Sequence, residues 1–148
     1  MAFVGLSAGI YYFYTNEPAA SGLLRPQDAV VVASGKSIYH SSCASCHGRN
    51  LEGQANWQTP NSDRTMPAPP HSERGHTWHH DDQILFDLTK YGVGKFVKQK
   101  DFKSNMPAYD GQLTDRQIIA VLSYIKSTWS ENVQKRHDQL NSQKQGKK

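Results

Sequence analysis

The run Cys43-Ala44-Ser45-Cys46-His47 constrains this chain more than any other feature, and it holds both of its cysteines. Two thiols three residues apart, with an imidazole directly after, suit few chemistries. They suit half of a zinc site, a thiol redox couple, or covalent attachment of haem. A redox couple of the thioredoxin kind expects βαβ surroundings, which this sequence lacks. Haem attachment uses all three side chains. Each thiol adds to one of the two vinyl groups on an edge of the haem, and the His that follows faces the iron.

The bulk composition agrees with a core that is not made of side chains alone. The chain has 148 residues, of which 36% are hydrophobic, and its mean hydropathy is −0.71. That length allows one domain with tails, and the apolar share is lean for it. The formal net charge of +4 is mild. No run reads as a nucleic-acid motif, so no nucleic-acid partner is expected. The basic excess suits an acidic protein partner or an anionic membrane surface.

Four segments follow along the chain. Residues 1–14 include the uncharged stretch from Ala2 to Tyr14, which ends in Tyr11, Tyr12, Phe13 and Tyr14. It is too short for a bilayer span of about 20 residues, and its aromatic end suits a membrane–water interface. It reads as the outer end of an N-terminal membrane anchor, with a signal segment as the alternative. Residues 15–25 are a linker containing Pro, Gly and Ser.

Residues 26–129 carry the domain, and three helices are expected there. The first runs from Gln27 to Ser42, with Ala29, Val32, Ala33 and Ser37 on one face and Gly35 and Tyr39 nearby. The second runs from Asp81 to Lys90, with Ile84, Leu85 and Leu88 as its apolar face and Gly92 as its stop. Thr114 caps the third, which buries Ile118, Val121, Leu122 and Ile125. Between the first two lie residues 48–80, a long loop with four prolines. A loop of that length inside a compact domain is usually functional. Residues 130–148 form a short helix capped by Ser130 and a polar basic tail, Ser142 to Lys148, expected to be disordered.

If His47 fills one axial position of a haem, a second ligand is needed, and Met or His usually supplies it. The tripeptide Met-Pro-Ala occurs twice, at Met66 and at Met106. The first precedes the Asp81 helix; the second follows it and precedes the Thr114 helix. The runs GKSIYHSSCASCHG, SNMPAY and LTDRQIIAVLSYIKS, taken in that order, resemble a small monohaem class I cytochrome c. The stretch PAPPH…GHTWHH is similar to a bacterial membrane-associated subgroup of it.

The resemblance implies an all-α class I cytochrome c fold, three main helices plus a short C-terminal helix around one covalent haem c. It implies thioethers at Cys43 and Cys46, and His47 and Met106 as axial ligands of the iron. It implies that Gly35 and Tyr39 meet Val121 and Tyr124 where the first and last helices of the domain cross. It also implies a proline carbonyl that accepts a hydrogen bond from His47, with Pro60 at the expected distance and Pro67 as competitor.

In the His-rich stretch, His76, His79 and His80 stand at helical spacing with His71 upstream. Two readings stay open: a second metal site, or a polar loop along one haem edge with Trp78 and His79 against it. Lys95, Lys98, Lys100 and Lys103 lead to Met106 and would form a rim for acidic redox partners. The function expected is single-electron transfer between respiratory partners, without catalysis, on the periplasmic face of a bacterial inner membrane. The alternatives are a fixed haem subunit of an oxidase or reductase complex, and a sensor or enzyme with a labile Met.

Overall fold

The structure is a computed structural model that describes residues 22–97 and 102–146. The expected anchor at 1–14, most of the linker, Lys98 and Lys100 lie outside the described residues. Among those described there are five α-helices and no strand, and no helix is long and apolar enough to cross a membrane.

Helix α1, Ala29–Ser42, starts where the Asp28 carboxylate accepts hydrogen bonds from the Val30 and Val31 amides, each 3.1 Å. Its buried residues are Gly35 and Tyr39, and Val32 and Ile38 pack beside the core. Ala29, Ala33 and Ser37 are exposed. The inward face is therefore rotated from the one expected, because the glycine and the tyrosine make the crossing. A short turn of helix, α2 (Ala44–His47), follows after Cys43.

Asp81 caps α3, Asp82–Tyr91, through the Ile84 amide at 2.9 Å, and Gly92 ends it at φ +81°. That left-handed geometry favours glycine. Leu85 and Phe86 are its buried apolar residues, while Ile84 and Leu88 are half-buried. Helix α4, Asp115–Ser127, begins with a reciprocal capping box between Thr114 and Gln117. Ile118, Val121, Leu122 and Ile125 are all buried, as their spacing predicts.

α1 and α4 cross almost backbone to backbone. A Cβ on Gly35 would lie 1.9 Å from the Ala120 carbonyl oxygen, and the rings of Tyr39 and Tyr124 are 5.5 Å apart beside it. The expected close approach is therefore present.

Helix α5 runs Glu131–Gln145, so residues 142–145 are helical rather than a disordered tail. Its docking is polar. His137 is fully buried and donates from Nε2 to the His80 carbonyl at 2.8 Å. Asn141, one turn on, bonds both the backbone N–H and the carboxylate of buried Asp82, at 2.9 and 3.0 Å. Asp82 also accepts from the Leu24 amide at 3.0 Å. One carboxylate thus ties α3, α5 and the segment entering α1 together.

Candidate functional site

His47 closes α2 and is 8% exposed. Its backbone carbonyl accepts from the Gly53 amide at 2.8 Å, and the Tyr39 hydroxyl lies 3.3 Å away while donating to the Gly48 carbonyl at 2.8 Å. Its Nδ1 lies 2.8 Å from the Pro69 carbonyl oxygen. A carbonyl can only accept, so Nδ1 carries the proton and Nε2 keeps its lone pair. Burial lowers the pKa of this imidazole, which favours the neutral, ligating form, and the Pro69 bond opposes that in part.

The proline expected at this bond, Pro60, is not the partner, and neither is Pro67. The loop does not return at a fixed count of residues. It makes left-handed turns at Gly48, Leu51, Gly53, Asn56 and Arg64. It comes back where the Gln54 amide bonds the Ala68 carbonyl and the His71 amide bonds the Leu51 carbonyl, 2.8 and 3.0 Å. That register puts the Pro69 carbonyl at the Nδ1 edge of the ring, and Pro60 is exposed.

Cys43 and Cys46 are both free thiols, one half-buried and one exposed. Burial pushes the Cys43 thiol up to about 11. Two unpaired thiols beside a His with a free Nε2 fit the donor set of a haem attachment site. The chain would hold haem c through these three residues.

Both Met-Pro-Ala runs reach this region. Asn105 Nδ2 donates to Thr65 Oγ1 at 3.3 Å, which brings the loop before Met106 beside the loop before Met66. Met66 is 44% exposed, and Met106 is half-buried. Both runs are anchored: in the first, Ala68 exchanges hydrogen bonds with Gln54, each 2.8 Å. Just beyond the second, the Tyr109 and Asp110 amides bond the Thr89 and Lys90 carbonyls at 3.1 and 2.9 Å. The Tyr109 hydroxyl bonds the Ser42 carbonyl at 2.6 Å, next to Cys43.

The histidine stretch divides its members among separate partners. His71 stacks on His47, His76 lies against Trp57 and His80, and His79 stacks on Trp78 at 3.7 Å. Among the described residues no three His, Cys, Asp or Glu side chains converge as a metal-binding group. The Trp78 indole N–H is committed to the Glu73 carbonyl at 3.2 Å. Glu73 in turn accepts from the Ser130 amide at the start of α5. Lys95 sits over the Tyr91 ring, 3.7 Å from its centroid, and Lys103 is exposed.

Sequence reasoning missed Pro69, and it missed Trp129. The Trp129 indole N–H donates to the His71 carbonyl at 2.9 Å. A cue existed in Trp129 being an aromatic just past the end of an apolar helix.

The cytochrome c family model matches residues 32–129, more than half of the chain. The chain belongs to the cytochrome c family. Membership implies haem-based electron transfer and a covalent haem c. No match was found among solved structures. Helix α5 lies beyond the matched residues, so its polar clasp on Asp82 is an addition to the part the family defines.

Proposed function

We propose that this cytochrome c is a single-electron carrier. Its haem c is joined by thioethers to Cys43 and Cys46, with His47 and Met106 as axial ligands. The observation that carries this reading is the His47 imidazole, whose Nδ1 is spent on Pro69 and whose Nε2 is left for a metal beside two free thiols. Bound haem supplies an iron centre that gains and loses one electron.

The chain's own residues hold the ligands still. Pro69 and the buried surroundings fix His47. Tyr109, tied to Ser42, Thr89 and Lys90, anchors the loop that carries Met106. Met106 is preferred to Met66 because its run is tied to the Cys43 segment, whereas the Met66 side chain is exposed. Ligands that do not move between oxidation states keep reorganisation small.

The reading extends to place and partners. Residues 1–14 anchor the domain on the periplasmic face of a bacterial inner membrane, and acidic redox proteins dock near Lys95, Lys98, Lys100 and Lys103 between respiratory steps. A redox titration of the purified protein tests the carrier function. A one-electron Nernst curve with no carbon monoxide binding to the reduced native form supports it. Carbon monoxide binding without denaturant would favour the rival reading, a sensor or enzyme with a labile Met106. Electron-transfer rates independent of ionic strength would exclude the lysine rim.

A further inference from the structure

Besides the Pro69 carbonyl, the His47 ring has an aromatic neighbour. The His71 ring lies 4.0 Å from it, centroid to centroid, at an interplanar angle of 24°. Rings stacked face to face at that separation leave no room for a metal ion between their nitrogens, so His71 is not a second ligand on the side opposite His47.

His71 is itself held in every direction. Its Nδ1 is 2.9 Å from the hydroxyl of buried Thr77. The Tyr39 ring meets it edge-on at 6.2 Å. Its backbone N–H bonds the Leu51 carbonyl at 3.0 Å, and its carbonyl accepts from Trp129 at 2.9 Å. Burial holds its pKa well below the ordinary histidine value, with the neighbouring His47 and His76 adding to that.

The Pro69 hydrogen bond holds the Nδ1 edge of the His47 ring, but a hydrogen bond tolerates some misalignment and so leaves a residual rotation about the Cβ–Cγ bond. A planar group lying on the ring face removes that freedom. We propose that His71 is a positioning residue for His47: its Thr77-pinned imidazole sets the rotation of the His47 ring plane. An aliphatic residue could fill the same volume, but it would present no flat face.

This inference rests on the reading of His47 as an axial ligand. Its test is the proton NMR spectrum of the oxidised holo-protein. The order and spread of the four haem-methyl resonances follow the orientation of the axial ligand planes. Wild type is compared with His71→Ala, His71→Phe and Thr77→Val. The expected result is an altered methyl pattern in His71→Ala, restored by the flat ring in His71→Phe, and a partial change of the same sense in Thr77→Val.

A His71→Ala pattern matching wild type overturns the proposal. So does a His71→Phe pattern as altered as that of His71→Ala. If His71→Ala takes up no haem, Thr77→Val decides, because it keeps the side-chain volume and removes only the hydroxyl, and an unchanged pattern there overturns the proposal. Failure of the underlying reading looks different: wild type itself would then lack a low-spin, covalently held haem.

Discussion

Replacing Gly35 by alanine tests the helix crossing that frames the site. The new Cβ would stand 1.9 Å from the Ala120 carbonyl oxygen, 2.5 Å from its carbon and 3.0 Å from the Tyr124 Cβ. A carbon–oxygen contact needs about 3.3 Å, so α1 and α4 must part by about 1.4 Å. The obstacle is backbone and cannot rotate away. Overpacking of this kind costs about 3 kcal/mol, and alanine's better helix propensity returns about 1. The net loss is about 2 kcal/mol, which for a domain near 100 residues lowers Tm by roughly 8–16 °C.

Far-UV circular dichroism melts of holo-protein, wild type beside Gly35→Ala, measure this. Gly94→Ala is the control, since nothing lies within 4 Å of its Cβ position. Its Tm should not fall, and the reduced freedom of the unfolded chain should raise it by roughly 2–8 °C. A Gly35→Ala protein melting within about 3 °C of wild type would refute the argument that the crossing requires glycine.

Three further predictions concern groups around the site. His137 is buried and its pKa is lowered, first by burial and then by Lys126, while Asp82, the His80 carbonyl and Asp138 oppose the shift. The unfolded chain therefore takes up a proton below about pH 6.5 that the folded chain resists. Stability is held above that pH and falls as the pH drops. His137→Gln, which keeps a donor for the His80 carbonyl, should remove up to about 1.4 kcal/mol of the difference between pH 7.5 and 5.5 in denaturant melts. Trp129→Phe leaves the His71 carbonyl without its donor and should cost about 2 kcal/mol in the same assay. Gly111→Ala has open space around it but φ +75°, so a loss of about 1 kcal/mol is expected from backbone strain alone.

The fold was legible wherever local physics decides it. Thr114 marked a helix start, and the other two starts, expected at Gln27 and Asp81, fall within two residues of the Asp28 and Asp81 caps, each of which offers a side-chain oxygen to free amides. The burial of α4 followed from apolar spacing. Two things were not legible. The buried residues of α5 are His137 and Asn141, and with only Val133 of this helix packed beside the core the apolar stripe is too thin to read. The partner of His47 depends on the return path of a loop with several left-handed turns, which spacing cannot supply, so Pro69 stands where Pro60 was expected. Cys43, Cys46 and His47 stood out because chemistry fixes their spacing. The roles of His71 and Tyr109 depend on which segments meet in space.

The most direct test of the central claim is the near-infrared spectrum of the oxidised holo-protein, where a Met sulfur bound to ferric haem gives a charge-transfer band. The account predicts the band in wild type and in Met66→Ala, and its loss in Met106→Ala, with haem still covalently attached in all three. A wild type without the band, or a Met106→Ala protein that keeps it while Met66→Ala loses it, would contradict the ligand assignment.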